Sequence, residues 1–274
     1  MSSIRAVAGL PLVRTIVYHP AVRGRLGRLP GFGRFYGSGW DFRHPFDRRY
    51  HTETSGSMPS DQIQSSPYDS DKVYIYAGSQ PSIIRSALNT LPALSGCAFV
   101  DLGCGKGRPL LVASEYPFRS IVGVELTPSL AEAARRNAAI INRQFAQRTP
   151  IQIEQQDAGQ FVPPAGNAVV FLYNPFGEEV IAKVVSRIEE ALAAGGRSIF
   201  VIYYNPVHAH CFDASRALRR YFAANLPYSP EELGYGPEIT DAVIIWQGGG
   251  AAPARGNADA TIKIIWPGVR AELA

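Results

Sequence analysis

Phe99-Val100-Asp101-Leu102-Gly103-Cys104-Gly105-Lys106-Gly107 decides how the rest of the chain is read. Ala98–Leu102 is a short apolar run with a single acid near its end, the pattern of a strand buried on both faces. Glycines follow at alternate positions, and apolar residues around Leu110–Tyr116 then take helical spacing. Glycine removes the side chain at each turn, so a ligand can lie directly on the backbone where a first strand meets its helix. Tight strand–helix turns also use glycine, but three alternating glycines behind a strand-terminal acid point to a bound ligand.

The type of ligand follows from spacing and charge. A dinucleotide fingerprint, G-x-G-x-x-G from Gly103, requires glycine at position 108, which is Arg108. A pyrophosphate also prefers a helix N-terminus free of acid, whereas Asp101 sits just before this loop. An acid suits a ligand carrying an ammonium group and a sulfonium charge, so S-adenosylmethionine is expected over NAD. The next strand ends at Glu125, 24 residues after Asp101, followed by Leu126. A carboxylate there can accept hydrogen bonds from both ribose hydroxyls. The third strand ends in Gln156-Asp157-Ala158, where Asp157 is placed to take the adenine amine.

Outward from this loop the chain alternates. Strands are expected at Ala98–Leu102, Ser120–Leu126, Ile151–Gln155, Ala168–Tyr173 and Ser198–Tyr204. Helices are expected after Ser79-Gln80-Pro81-Ser82, from the Thr127 cap and Pro128 onward, over Glu178–Ala194 before Gly195-Gly196, and over about His208–Ala224. Two last strands, Ile239–Gln247 and Thr261–Trp266, flank a Gly/Ala-rich connection at 248–260 expected to be mobile. Five βα units and a strand pair give an α/β fold: a doubly wound, mostly parallel seven-stranded sheet.

Val100–Gly107, Glu125 and Asp157 resemble motifs I, post-I and II of the class I S-adenosylmethionine-dependent methyltransferase superfamily, over about residues 76–205. That resemblance implies an antiparallel last strand, which Ile239–Trp266 fits. It implies cofactor contacts at Asp101, Gly103, Cys104, Gly105, Gly107, Glu125, Leu126, Asp157 and Ala158.

The catalytic end is sought where strands four and five stop, because ligands bind at strand carboxyl ends. After the fourth strand comes Tyr173-Asn174-Pro175-Phe176-Gly177. The Asn174 side-chain carbonyl can accept a hydrogen bond from an attacking nitrogen, and Tyr173 and Phe176 can wall a pocket or face a cation. A plain Asn-Pro turn closing a strand is the alternative. Methyl transfer needs a neutral nucleophile aligned with the sulfonium, so positioning supplies most of the catalysis. The segment resembles the (D/N)-P-P-(Y/F) motif of amino-methylating nucleic-acid enzymes but lacks the second proline, which argues against a base as acceptor. Tyr76-Ala77-Gly78-Ser79 ahead of a helix, with Asn174 and Phe176 later, is more similar to the non-SET histone-lysine methyltransferase family and related bacterial proteins. That likeness implies cofactor contacts from Tyr76, Ser79 and Asn174 and an amine-orienting role for the Asn174 loop with Pro175. Residues 46–56 also resemble a recurrent N-terminal segment of bacterial methyltransferases.

Tyr203-Tyr204-Asn205-Pro206 repeats the Asn-Pro ending on the adjacent strand, so Tyr203 joins the candidate catalytic residues. His208 or His210 could act as base toward an oxygen acceptor, although a histidine near a helix start is more often a surface or capping residue. A zinc site from His208, His210 and Cys211 lacks a fourth ligand and the usual spacing, so no metal is expected. The expected activity is N-methylation of an amine such as a protein lysine. Its alternatives are O-methylation of a small metabolite or sugar, and a non-catalytic cofactor-binding module.

Composition sets the outer bounds. The 274 residues are 46% hydrophobic and 18% charged, enough for one large domain with an appendage. The net charge of +4 is concentrated at the start: residues 1–40 hold Arg5, Arg14, Arg23, Arg25, Arg28 and Arg34 and no acid. Residues 1–70 are read as a basic arm and 71–274 as the methyltransferase domain. The arm shares its composition with organelle transit peptides, but contact with the domain, anionic lipid or a partner is the preferred reading. Nucleic acid is not an expected partner, since no target-reading domain is evident. Three cysteines at no metal-ligand spacing, with no apolar run of membrane-spanning length, fit a reduced cytoplasmic protein.

Overall fold

A computed structural model describes residues 16–17, 22, 42–58, 63, 76–236, 238–250, 257–266 and 269–273. In chain order the elements are α1 (Pro45–Tyr50), β1 (Ser57–Met58), β2 (Tyr76–Ala77), α2 (Pro81–Thr90), β3 (Ala98–Leu102), α3 (Arg108–Ala113) and β4 (Ser120–Glu125). They continue with α4 (Pro128–Gln144), β5 (Ile151–Gln155), β6 (Ala168–Tyr173), α5 (Glu178–Ala193), β7 (Ile199–Tyr204) and α6 (Ala209–Asp213). The last four are β8 (Leu218–Pro227), β9 (Thr240–Gly248), β10 (Ile262–Trp266) and β11 (Val269–Leu273).

Seven strands form one sheet in the order β5-β4-β3-β6-β7-β9-β8. The first five run parallel, and β9 is antiparallel to both of its neighbours. The central strands β3, β6 and β7 are apolar on both faces because both faces are covered. Val169 and Phe171 of β6 join a cluster with α2, α3 and α4, whereas Ala168, Val170 and Leu172 join α5 and α6. The order reverses at β3, so the carboxyl ends of β3, β4 and β6 open a crevice at the switch point.

Helix limits obey local chemistry. Proline opens α2, α3 and α4 within their first two positions, where its missing amide costs nothing. Helix α5 stops before Gly195 and Gly196, both at positive φ.

Two expectations at the C-terminal end are corrected. The helix expected over His208–Ala224 ends at Asp213, and Leu218–Pro227 is an edge strand. Pairing along the length of β9 overrides the helical tendency of its alanines and leucines. The reversal is held by Arg220, whose guanidinium grips both Asp213 carboxylate oxygens at 2.8 and 2.7 Å. The strand expected at Thr261–Trp266 is β10, but it pairs with β11 as a separate hairpin. It lies over the sheet with Ile262 and Ile264 buried. The sheet still has seven strands, since Leu218–Pro227 supplies the missing one. Of the connection expected to be mobile, residues 251–256 lie outside the described residues, as does nearly all of 1–40.

Residues 42–58 pack against the α2–α4 face. His44 caps α1 through its ring, which accepts from the Phe46 amide at 3.1 Å, and Phe46 and Tyr50 enter the core. Among the described residues no helix is long and apolar enough to cross a membrane.

Candidate active site

The glycine loop is pinned from below by β4. The Gly103 and Cys104 amides both donate to the Val124 carbonyl, at 2.8 and 3.0 Å. Glu125 then ties two segments together: one carboxylate oxygen accepts from the Gly105 amide and the other from the Thr127 amide, each at 2.8 Å. Burial still outweighs these donors and raises its pKa. Leu126 lies between the two anchors. Asp157 accepts from the Gly159 amide at 2.8 Å, capping a single turn that starts at buried Ala158.

Asp101 is 1% exposed, and its Oδ2 has no hydrogen-bond partner. Burial and, less strongly, the charge of Glu125 push its pKa well above the ordinary carboxylate range. A buried carboxyl left open at the end of β3 is the arrangement that a cationic ligand group completes.

Two groups roof the loop. A Cβ on Gly103 (φ +74°) would lie 2.4 Å from Pro175 Cβ, with Phe176 at 3.1 Å. A Cβ on Gly105 (φ +54°) would lie 2.4 Å from the Tyr76 ring. Gly107 also takes positive φ at the mouth of α3. Loop, Tyr76 and the Asn174-Pro175-Phe176 turn, well separated in sequence, therefore meet at one end of the sheet. Ser79 is buried there too, and its carbonyl accepts from Arg108 at 2.7 Å.

Asn174 adopts φ +40° and is 1% exposed. Its carbonyl, the atom expected to accept from a substrate amine, accepts from the Tyr203 hydroxyl at 3.1 Å, and its Nδ2 is the group left without a partner. Turning the amide by 180° would present the carbonyl instead, with Tyr203 switching from donor to acceptor.

The second Asn-Pro loop is locked inward. Asn205 (φ +48°) donates to Asp241 at 3.3 Å and accepts from the Ala242 amide at 3.2 Å. Tyr204 and Tyr228 donate to the other Asp241 oxygen at 2.5 and 2.7 Å. Burial nonetheless raises the Asp241 pKa to about 6. Tyr173 packs on Tyr204 with ring centroids 4.3 Å apart. His208 is buried, whereas His210 is exposed and pairs with Glu178 at 3.0 Å. Cys211 Sγ lies 3.5 Å from His210 Nε2, so Glu178, not His208, completes the grouping around that cysteine.

Sequence reasoning used Arg108 only to reject a dinucleotide and assigned no role to Asp47. Both are buried, with their charged groups 3.8 Å apart beside the glycine loop. A signal was present in a lone arginine at the first turn of a core helix, but its partner lies 61 residues earlier.

No protein-family model matches the chain. The release factor glutamine methyltransferase of Vibrio cholerae is 42% identical over 69 residues, which is 24% of this chain and 24% of that protein. The chain thus spans about a quarter of the length of the curated relative it matches. Similar solved structures include the YcgJ protein of Bacillus subtilis, at 14% identity and TM-score 0.43, covering 62% of this chain and 98% of that one. An S-adenosylmethionine-dependent methyltransferase of Mesorhizobium loti aligns at 15% identity and TM-score 0.43, covering 60% and 96%. A TehB-like methyltransferase of Corynebacterium glutamicum aligns at 15% identity and TM-score 0.40, covering 61% and 85%. In its sheet order and its antiparallel β9, with the glycine loop and strand-end acids at the switch point, the chain has a Rossmann-like α/β fold.

Proposed function

We propose that this chain is an S-adenosylmethionine-dependent methyltransferase acting on an amine, such as a lysine side chain of a protein. The observation that carries the cofactor reading is Asp101, a buried carboxyl with one oxygen unpartnered beside a loop of positive-φ glycines. S-adenosylmethionine, when bound, supplies a methyl group on a cationic sulfur. Asp101 would hold the ammonium of its methionine part, with the backbone of Gly103, Cys104 and Gly105 beneath. Glu125 would take the ribose hydroxyls, with Leu126 beside them, and Asp157 and Ala158 would border the adenine. Tyr76 and Ser79 close the site from the N-terminal side.

Asn174 is the positioning group on the acceptor side. Its amide is held by Tyr203, and Pro175 and Phe176 fix the loop against Gly103. In the amide orientation with the carbonyl inward, Asn174 accepts a hydrogen bond from an N–H of the neutral amine and leaves the nitrogen lone pair aimed at the methyl group for displacement. The unpartnered Nδ2 supports a second reading, since an amide donor matches an oxygen acceptor, and O-methylation of a small molecule follows from it.

A cytoplasmic site of action belongs to the same proposal, with the arginines of residues 1–40 guiding an acidic partner or an anionic membrane surface; residues 42–58, on the arm side of a division at residue 70, pack with the domain through Phe46 and Tyr50. The test is calorimetric titration with S-adenosylmethionine and S-adenosylhomocysteine, followed by a labelled-methyl screen of proteins and then metabolites. Asn174→Ala should bind cofactor as the parent does and lose transfer by about 100-fold, the scale of a lost positioning group. Full transfer by Asn174→Ala would remove Asn174 from the mechanism. A parent protein that binds neither compound would remove the methyltransferase reading.

A further inference from the structure

Residues 44–58 contain a fully buried acid, Asp47, that the cofactor contacts above do not use. Its carboxylate accepts from the Thr52 hydroxyl at 2.8 Å, from the Thr54 amide at 3.0 Å and hydroxyl at 2.6 Å, and from the Ser55 hydroxyl at 2.5 Å. A loop folded around one carboxylate is preorganised, and it is aimed at the glycine loop. Arg108, 3% exposed, donates to Thr54 Oγ1 and to the Ser79 carbonyl, each at 2.7 Å, and lies 3.8 Å from Asp47. Lys106 donates to the Ser55 carbonyl at 2.7 Å. The Asn137 amide reaches both the Glu53 and Lys106 carbonyls, at 3.1 and 3.0 Å. Tyr76, whose ring covers Gly105, donates its hydroxyl to the Thr54 carbonyl at 2.7 Å.

These anchors share one destination. They land on residues 105–108 and on the Tyr76–Ser79 loop, the backbone a ligand on the glycine loop would touch. A planar guanidinium with donors in a fixed fork can serve Thr54 and Ser79 together, which an ammonium cannot. We infer that residues 44–58 are a strap belonging to the cofactor site, and that Arg108 is the positioning residue that seats the strap and Tyr76 on the glycine loop. The inference rests on the cofactor reading proposed above and adds that cofactor binding and strap ordering are linked equilibria.

Hydrogen–deuterium exchange of the full chain, with and without saturating S-adenosylhomocysteine, tests it directly. Bound ligand should slow exchange of amides in 44–58 by tenfold or more, together with those in 103–108. Arg108→Lys, which keeps the charge and loses the fork, should exchange faster at 44–58 with β6 and β7 unchanged. Its Kd for S-adenosylhomocysteine should rise at least tenfold below its melting temperature. A residue of purely structural importance would lower the melting temperature and leave the Kd of the folded protein within twofold. If wild-type protein binds S-adenosylhomocysteine with no slowing at 44–58, the inference is overturned and the proposed function stands. If it binds neither cofactor nor product, both fall. Should Arg108→Lys fail to fold, the wild-type exchange alone decides.

Discussion

Asp101→Asn separates stability from binding, because the two should move in opposite directions. Without ligand, Asp101 is a buried carboxyl with one oxygen unpartnered and Glu125 nearby, and its pKa is raised. A carboxyl whose pKa is higher in the folded chain contributes stability below its unfolded pKa, and that contribution is lost as pH rises through the folded value. At pH 7 to 8 the native residue therefore costs the ligand-free fold something that asparagine does not. Asparagine leaves an amide unpaired in the same place but does not titrate, so the difference is the penalty of the raised pKa. That penalty is about 1.4 kcal/mol for each pH unit by which the pKa is raised, and each kcal/mol moves the melting temperature of a chain this size by about 2–4 °C. The ligand-free variant should melt at least about 2 °C higher. Binding should go the other way: removing one member of a buried ion pair costs about 3–5 kcal/mol, or roughly two to four orders of magnitude in Kd. Differential scanning fluorimetry gives the first quantity and calorimetry with S-adenosylmethionine the second. Affinity within threefold of the parent, or a lower melting temperature in the free protein, would refute the assignment of Asp101 to a cationic ligand group.

Gly103→Ala places a methyl group 2.4 Å from Pro175 Cβ at φ +74°. The left-handed backbone alone costs about 1–2 kcal/mol, so chemical denaturation should show at least that loss, together with weakened transfer as the Asn174 turn is displaced. Asp241→Asn should matter less as pH rises. The Asp241 pKa goes from 3.8 to about 6 on burial, so the parent loses up to about 3 kcal/mol on passing upward through that window. The stability gap between parent and variant in urea should therefore narrow from about pH 4 to about pH 7.5, and a constant gap would remove Asp241 as the cause. Tyr203→Phe should leave the Kd for S-adenosylmethionine unchanged and lower kcat about tenfold, the scale of one hydrogen bond of about 1.4 kcal/mol to Asn174; single-turnover rates with the true acceptor read this out.

The parts of the fold that sequence made legible are those where pattern is local. β3 and β6 carry the expected bounds because each is an apolar run between polar or glycine-rich breaks, and β5 does because Ile151 and Ile153 alternate with polar residues. The glycine loop was equally plain, since only alternate glycines fit that turn. β8 was not legible. Phe212, Leu218, Phe222 and Ala223 suit a helical stripe, and only β9, still to come in the chain, makes a strand of them. The strap was hidden for a related reason: Asp47, Thr52, Thr54 and Ser55 read as a polar stretch with no period. Their burial depends on an arginine beyond four intervening elements. Asn174 was found by its place after β6, but its amide is held by the Tyr203 hydroxyl on the neighbouring strand, which can donate or accept, so which amide atom faces inward was not legible.

The position of β9 also dictates an order of assembly. It lies between β7 and β8 yet follows both in sequence, so the space between them stays open until residues 240–248 are available. The switch-point half, β5-β4-β3-β6, is paired internally by residue 173, and its β6 edge is then covered by β7. A chain stopping short of β9 would carry a cofactor crevice beside two unpaired edges, Ile199–Tyr204 and Leu218–Pro227. Exposed apolar edges of that kind recruit strands from other molecules. Shortened forms of this protein should therefore precipitate before they can be tested for activity, and the last strand inserted acts as the sheet's guard against self-association.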